Sequence, residues 1–557
     1  MKKTISYISK VFLAAAVLTA GTGTFSSCSD YLDVEVGEQK TAKEFYNNAY
    51  EMDEALNGVY SGMMSIPMYQ WYLSEVHSDN IWSGAASEGK ANAYGAIHQF
   101  ASTLSENSTL NNAWVAYYTV IARANSFISR VQNVEYKADS LKMQQIAEAR
   151  FLRALAYFDL VRFWGRVPAT TESVTVDMAL TLGQSEPVEI YDNIIVPDLK
   201  FAIENLNETP LTYDGAYATD NGKVLNASNT NYSTGKPTPS AAKAVLGRVY
   251  ITEAGFPLYR EELKEPAKEL LLDVINYSNS HGNRWWASTA DEWRKMWMHD
   301  NDNKYFLFEI QYVCEEDMGN PVTYNSIPNF TGYTNYWSYG KGNGYGIYAS
   351  EEAWNLWSDD EDSEGNIIYD ARQDFTIDPT LHSEKKVLVI NKWLESDIKR
   401  AEVELAPYSF SAVIEKTMWP QNYPIIRLED VMLMYAELAG NTDATAKELV
   451  NKIRTRTGRP ALTEWQTADS ERFLEAVKDE RRREFMGEGI RWHDLVRWDN
   501  DLEPIRKMFY NYGKNNPDVL PACISAMGRI QDYSYLYPIP FNQMKINDGL
   551  YQQNPGY

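Results

Sequence analysis

The chain has 557 residues, enough for two or more hydrophobic cores at roughly 100–200 residues per domain. Hydrophobic residues make up 44% and charged residues 23%, which is typical of a globular protein, and aromatic residues reach 13%. The net charge of −24 argues against a nucleic-acid partner, because phosphates require a basic face, and it favours a neutral ligand over a polyanion.

The N-terminus has the pattern of a targeting segment. Lys2, Lys3 and Lys10 supply positive charge, and the apolar run at residues 11–20 is too short to span a bilayer. The segment ends in Phe-Ser-Ser-Cys at Cys28, which is similar to a bacterial lipobox. We therefore expect residues 1–27 to be a signal peptide, Cys28 to carry lipid such as palmitate, and residues 28–40 to be a polar tether. Ordinary cleavage with a secreted product is the alternative.

Helical patterning dominates the rest of the N-terminal half. Apolar residues recur at steps of three and four from Ile146 to Phe163, which predicts one buried helix face. Gly165 ends that helix, Pro197 is expected to kink a later one, and Ser240 is the expected cap of another. The predicted helices are residues 112–130, 141–164, 186–206, 240–255 and 262–278, with a polar loop at 207–239.

The pattern changes at residues 285–423, where helical periods become short and Gly, Asn, Asp and aromatic residues increase. Residues 305–310 and 387–390 read as strands within this irregular insertion. Helices return at residues 427–439, 444–457 and 471–486. The sequence therefore predicts a helical scaffold with an N-terminal region at 41–260 and a C-terminal region at 261–557 that includes the insertion.

Residues 324–348 are the most unusual part of the insertion, and we call them the aromatic stretch. They hold eight aromatic residues and five glycines, with Lys341 as the only charged residue. Such glycine density disfavours regular structure, and a long irregular segment in a compact protein is usually functional or disordered. Flat rings beside amide side chains suit sugars, which stack their C–H faces on rings and bond amides through hydroxyls. The alternative is that the rings pack a small core of the loop itself.

Six blocks stand in a fixed order along the chain. The first begins with Glu-Ala-Arg-Phe-Leu-Arg-Ala at Glu148, and the next four are residues 240–250, 426–437, 450–460 and 480–495. The sixth is residues 537–540 with the closing Gln-Asn-Pro-Gly-Tyr at Gln553. Together these blocks resemble the SusD/RagB family of outer-membrane nutrient-binding lipoproteins. The resemblance implies a mostly α fold, with four divergent tetratricopeptide-like helix pairs and an irregular, loop-rich ligand-binding insertion.

The resemblance also implies a location and partners. It implies an outer-membrane lipoprotein, exposed at the cell surface, that passes its ligand to a SusC-like TonB-dependent transporter. Typical ligands are oligosaccharides or polysaccharides, whereas the RagB branch takes peptides, and both classes stay open here. The family has no fixed ligand motif, so no site residue is transferred from it.

Candidate glycan contacts come from three places. The aromatic stretch supplies Tyr333, Asn335, Tyr336, Trp337, Tyr339 and Asn343. The loop-rich N-terminal segment, where the resemblance implies ligand rings, supplies Trp71, Trp82 and Tyr94, and the start of the insertion supplies Trp285 and Trp286. Trp293 and Trp297 have helical spacing and are predicted to be core residues.

Catalytic and metal-binding motifs are weak in this sequence. The six histidines make no HExxH spacing, and no GxSxG or P-loop motif occurs, so we predict no catalytic residue and no cofactor. A helical carbohydrate-active enzyme stays open as a third class, since a carboxylate pair is defined by space and not by sequence. Asp360, Asp362 and Glu364 match part of an EF-hand loop, but Ala371 replaces the bidentate Glu, which makes this a weak Ca²⁺ candidate.

Two further groups are interpreted structurally. Glu480 to Glu484 reads as an ion-paired helix face, and His493 as a histidine held beside a helix end. Cys314 and Cys523 are the cysteines left beside Cys28, and they are either isolated thiols or a pair.

Overall fold

The computed structural model describes most of the chain beyond its N-terminal segment. The described residues are 45–83, 93–213, 224–226, 235–299, 304–313, 315, 318–326, 347–358, 364–378, 388–395, 399, 404, 419–546 and 549–557. Residues Asn48–Tyr557 belong to one structural unit. No helix in the described ranges is long and apolar enough to cross a membrane.

Helices make up most of the described regular structure. Those before the insertion are α1 (Ala49–Met63), α2 (Ile66–Gln70), α3 (Ala93–His98), α4 (Ser108–Val131), α5 (Asp139–Trp164), α6 (Val176–Ala179), α7 (Pro187–Ile190), α8 (Val196–Asn205), α9 (Pro239–Ala254) and α10 (Lys264–Ser280). Those that follow are α11 (Ala290–Lys295), α12 (Pro321–Ser326), α13 (Glu351–Ser358), α14 (Gln373–Thr376), α15 (Leu428–Ala439), α16 (Ala444–Arg456), α17 (Ser470–Phe485), α18 (Arg491–Arg497), α19 (Glu503–Asn515), α20 (Leu520–Arg529) and α21 (Phe541–Ile546).

Strands are short and pair in twos. They are β1 (Ile81–Ser83), β2 (Val167–Pro168), β3 (Gln184–Ser185), β4 (Leu211–Tyr213), β5 (Val224–Asn226), β6 (Phe306–Ile310), β7 (Ile347–Ala349), β8 (Ile377–Asp378), β9 (Val389–Ile390) and β10 (Tyr423–Arg427). The antiparallel pairs are β1–β7, β2–β3, β4–β5, β6–β10 and β8–β9. The predicted strand at 305–310 is confirmed, whereas the predicted loop at 207–239 contains the β4–β5 hairpin.

The helix ends show how local chemistry sets these bounds. α5 stops as predicted at Gly165, whose φ of +67° suits glycine. The helix predicted at 186–206 is interrupted by a π-helical turn at Tyr191–Ile195, directly before α8, and Pro197 lies in the first turn of α8. The prediction that Ser240 caps α9 is wrong. Thr238 is the cap, because its hydroxyl oxygen accepts a hydrogen bond from the Ala241 N–H at 3.2 Å.

The long helices pack in series. α1 contacts α4, α4 contacts α5, and α5 contacts α8. The series continues through the pairs α8–α9, α9–α10, α10–α15 and α15–α16. Such a series buries an apolar face that no single helix pair could bury alone. The four tetratricopeptide-like pairs remain a prediction at this level of detail.

A group of buried charges joins the insertion to the C-terminal helices, and we call it the ion cluster. Its members come from the insertion, β10, α15, α16, α17 and the turn after α17: Arg372, Lys392, Arg427, Glu429, Arg454, Arg456, Glu480, Glu484 and Glu488. Glu484 is central, because its two carboxylate oxygens accept from Arg372 Nη1 and Arg427 Nη1 at 2.7 Å each. All of these side chains are buried.

The cluster confirms that the charged run of α17 is ion-paired and adds that the paired face is buried. Burial alone raises the pKa of the Glu484 carboxyl, but Arg456, Arg427 and Arg372 hold that pKa well below its usual range. The carboxylate is therefore ionised, and the Arg372 guanidinium of the insertion has two charged partners on α17, Glu480 and Glu484. This arrangement fixes the insertion to the scaffold.

Candidate functional site

The two-stranded β1–β7 sheet pairs the strand that contains Trp82 with the last residues of the aromatic stretch. β7 includes the end of the aromatic stretch, and β1 precedes the segment that leads to Tyr94. Their antiparallel register places Trp82 directly opposite Tyr348. Because directly paired residues point to the same side of a sheet, these two rings share one face. The last residues of the aromatic stretch and the Trp82 strand of the N-terminal segment therefore lie in one small sheet.

Hydrogen bonds fix this sheet to the segment before β1. The Ser350 N–H donates to the Asn80 carbonyl at 2.8 Å, and the Ser350 hydroxyl donates to the Asp79 carbonyl at 2.6 Å. The Asp79 carboxylate in turn pairs with Arg482 at 3.0 Å and Arg491 at 2.8 Å. Burial alone would raise the pKa of Asp79, but the two guanidinium groups lower it to about 2. Asp79, just before the β1–β7 sheet in the chain, is thus bound to α17 and α18 through ion pairs.

Glu75 provides a second tie. Its carboxylate accepts from the Asn80 amide at 2.9 Å and from the backbone N–H groups of Gly487 and Gly489 at 2.8 and 2.9 Å. Both glycines have positive φ, which turns their N–H groups toward the carboxylate at little conformational cost. Burial raises the pKa of Glu75, and these hydrogen bonds oppose that shift. The turn after α17 is therefore built around Glu75, a residue of the N-terminal segment.

The rings predicted from the N-terminal segment differ in exposure. Trp71 is fully buried, and Trp82, which is 5% exposed, stacks on Tyr512 at 3.6 Å between ring centroids. This burial runs against the expectation that they contact a sugar, because a sugar stacks on an exposed ring face. Tyr94 is half-buried and stacks on Tyr72 at 4.1 Å. Of the three, Tyr94 is the one that keeps accessible surface.

The tryptophans at the start of the insertion are also buried. Trp285 and Trp286 are 4% and 8% exposed, and Trp286 lies against the charged ends of Lys452 and Arg456 at 4.6 and 4.5 Å. Cation–π packing occupies the Trp286 ring, so it offers no open stacking face. Trp293 and Trp297 are buried, which confirms their prediction as core residues.

Several expected site residues lie outside the described residues. They are Cys28, Cys314, Tyr333, Asn335, Tyr336, Trp337, Tyr339, Asn343, Asp360 and Asp362. Glu364 is described and exposed, and Cys523 is a buried free thiol. Within the described ranges, no group of three or more His, Cys, Asp or Glu residues is arranged to hold a metal ion.

The structure shows exposed rings that were not among the predicted ligand contacts. Trp465 is 65% exposed and has the Arg472 guanidinium 4.9 Å from its ring centroid, and Tyr369 is 60% exposed. Trp465 lies between α16 and α17, in a polar loop where an isolated tryptophan could have been noticed. Tyr369 lies against Gly458, just after α16, and the sequence does not reveal this long-range contact.

Comparisons with known proteins agree with this architecture. A family model described as "SusD family" matches residues 412–557, and another, described as "Starch-binding associating with outer membrane", matches residues 30–251. SusD-like protein P25 of Formosa agariphila is 23% identical, with 95% of this chain and 97% of the relative covered.

Solved structures share the fold. The crystal structure of a SusD homolog from Bacteroides thetaiotaomicron superposes with a TM-score of 0.71 at 24% identity, covering 93% of this chain and 99% of the other. A laminarin-binding SusD-like protein gives a TM-score of 0.68 at 22% identity, covering 92% and 100%. The fold is therefore the mostly α, SusD-like one, and the chain belongs to the SusD/RagB family.

Proposed function

We propose that this protein is a cell-surface lipoprotein that binds an oligosaccharide or polysaccharide and delivers it to a SusC-like TonB-dependent transporter, without catalysis. The observation that carries the proposal is the β1–β7 pairing, which joins the aromatic stretch to the segment leading to Tyr94. Family membership supports it, and so does the structural neighbour whose description names laminarin as its ligand.

The residues of the aromatic stretch suit weak and reversible sugar binding. Stacking on a ring contributes about 0.5–1.5 kcal/mol beyond burial. Two or three stacked sugars with hydrogen bonds from amides such as Asn335 and Asn343 correspond to roughly micromolar to millimolar affinity. A receptor that must release its ligand to a transporter needs affinity in this range.

Isothermal titration calorimetry with a panel of soluble glycans, including laminarin, and a panel of mixed peptides tests the ligand class. We expect heat from at least one glycan and none from the peptides. Binding of peptides with no glycan binding would replace this proposal by the peptide-receptor alternative. Release of reducing ends from a glycan by the purified protein would favour the enzyme alternative.

Membrane attachment through Cys28 is a separate part of the proposal. The Cys28→Ala variant should move from the detergent phase to the aqueous phase in a detergent partition of expressing cells, because the lipid provides the anchor. The Cys523→Ala variant is the matched control, since Cys523 is buried in α20 and should leave partitioning unchanged. Equal partitioning of Cys28→Ala and wild type would contradict lipidation at this residue.

The transporter partner is tested by affinity purification of the tagged protein from solubilised outer membranes. We expect an outer-membrane protein of TonB-dependent type to co-purify with the wild-type chain in roughly equal amounts. Absence of such a protein, under conditions where the lipoprotein itself is recovered intact, would contradict the delivery step while leaving glycan binding to be judged by calorimetry.

A further inference from the structure

A cavity of about 360 Å³ lies where the ends of α5 and α9 meet α18 and the C-terminal segment. Its apolar walls are formed by Val161, Phe256, Pro257, Leu258, Val496 and Leu536. Among the described residues, none of its lining comes from the β1–β7 sheet or from the aromatic stretch. The volume falls within the range of small-molecule sites, and mostly apolar walls with a few polar groups are typical of them.

Two residues that line this cavity each have a buried nitrogen atom without a hydrogen-bond partner in the described part of the chain. One is Nε2 of His493, whose side chain is 8% exposed, and the other is Nε of Arg162, whose side chain is 9% exposed. The Arg162 Nη2 group is occupied by Asp159. An unsatisfied buried polar group is destabilising, so a ligand that bonds both atoms would be favoured.

The charges in the lining favour an anion. Arg162, Arg166 and Arg497 line the cavity, whereas Glu186 is the acidic residue among the described lining residues. Arg497 is committed to Glu437 and Asp494.

Arg166 is the most available of the three cations. It is 32% exposed, bonds the Gln552 amide oxygen at 3.0 Å and lies 4.0 Å from Glu186, at the limit of an ion pair. Burial, with Arg162 and Arg248 nearby, holds the pKa of His493 well below its usual range, so the ring is neutral. A neutral ring can donate from Nε2 to an acceptor.

We propose that this cavity binds a small monocarboxylic acid with an apolar body. The carboxylate would accept hydrogen bonds from Arg162 Nε and His493 Nε2 and would be attracted by Arg166, while the body packs against the apolar walls. Charge-assisted hydrogen bonds are about twice as strong as neutral ones, so the acid is preferred over its amide. This site is distinct from the proposed glycan surface and does not depend on it.

Ligand-observed NMR and calorimetry with hexanoate, benzoate and phenylbutyrate test the proposal, with the corresponding primary amides as neutral controls. We expect at least one acid to bind, and its amide to bind about tenfold more weakly, because one charged hydrogen-bonding interaction is lost. Absence of binding by all three acids, or equal binding of acid and amide, would overturn the proposal.

Two variants locate the binding. Arg166→Gln should weaken the acid about fivefold or more, whereas Arg472→Gln, a similarly exposed arginine outside the cavity, should leave the affinity unchanged. Thr252→Trp places a large ring in the cavity wall and should abolish binding. Thermal unfolding of each variant confirms that it is folded. If folded Arg166→Gln and Thr252→Trp both bind like the wild type, the cavity is not the site.

Discussion

Two buried helices of this protein are stabilised in different ways. α5 packs with apolar residues such as Leu152 and Phe163 on its buried face, and its neighbours α4 and α8 lie on either side. α17 is just as buried near its C-terminus, but there it presents Glu480, Arg481 and Glu484. Apolar contacts tolerate small shifts, whereas buried ion pairs depend on geometry and on complete pairing.

The difference follows from what each helix holds. α5 packs against other regular helices, which have satisfied their own backbone groups. α17 holds the irregular insertion, where Arg372 and Lys392 reach the helices through Glu484 and Glu488. Charged side chains can reach an irregular partner over a longer distance than methyl groups can. The insertion is therefore attached through a cluster of buried ion pairs, whereas α5 has a mostly apolar buried face to which the Arg153–Asp198 pair with α8 is added.

The largest expected effect comes from breaking the ion cluster at its centre. Glu484→Ala leaves Arg372, Arg427 and Arg456 buried without that carboxylate, and we expect a loss of about 3–5 kcal/mol in the free energy of unfolding. Urea denaturation measures it. Glu475→Ala is the control, because Glu475 is exposed and pairs only with Lys478 in the described structure, which should cost about 0–1 kcal/mol. Equal losses for the two variants would contradict a structural role for the cluster.

Removing apolar packing from α5 should lower the free energy of unfolding slightly less. Leu152→Ala removes a fully buried side chain from α5 and leaves a cavity, for which we expect a loss of about 2–5 kcal/mol. Met143→Ala on the same helix is the control, since Met143 is 36% exposed. The same urea titration compares them. A Leu152→Ala variant as stable as Met143→Ala would show that this face is not close-packed.

Acid titration of the free energy of unfolding tests the buried ion pairs separately from the apolar packing. The pKa of Asp79 is about 2 in the folded protein and 3.8 in its reference state, so its ion pairs add stability above pH 3.8. That contribution, about 2 kcal/mol, is lost as the pH falls through about 2. Asp79→Asn should therefore be less stable at neutral pH and show a flatter acid limb. Asp518→Asn, an exposed control, should keep the wild-type acid limb; an unchanged limb in Asp79→Asn would refute the assignment.

The smallest expected effect concerns the ligand. Trp337→Ala should weaken glycan binding at least about fivefold, which is about 1 kcal/mol, with nearly unchanged thermal stability. Trp465→Ala is the matched control, because Trp465 is an exposed ring outside the insertion. Calorimetry measures both. A large loss of stability with intact binding would assign Trp337 to a core, and loss of binding in Trp465→Ala alone would move the site.

Much of the scaffold could be predicted from periodicity and helix stops. The predicted helix at 141–164 is observed as Asp139–Trp164, and the one at 471–486 as Ser470–Phe485, because apolar spacing and Gly165 act locally. The burial of Glu480 and Glu484 could not be predicted, since their partners Arg372 and Arg427 are distant in sequence. The pattern of a charged helix face is the same whether it meets water or opposite charges.

The candidate site could be predicted only in part. The β1–β7 register pairs Trp82 with Tyr348, a contact between distant segments, and ligand binding by these segments stays a prediction. The sequence could not predict which rings are exposed. Tyr512 from α19 covers Trp82, and two basic side chains from α16 cover Trp286. Exposure depends on these long-range neighbours, whereas aromatic content is a local property.

Hydrogen–deuterium exchange with and without a bound glycan tests whether the glycan site includes the two segments that meet at the β1–β7 sheet. With laminarin or another glycan that binds in the calorimetric panel, peptides covering residues 324–348 and 81–94 should exchange more slowly. Both segments should respond together, because they start from the paired strands β1 and β7. Protection confined to other regions, such as the surface around Trp465, would contradict a glycan site at these two segments.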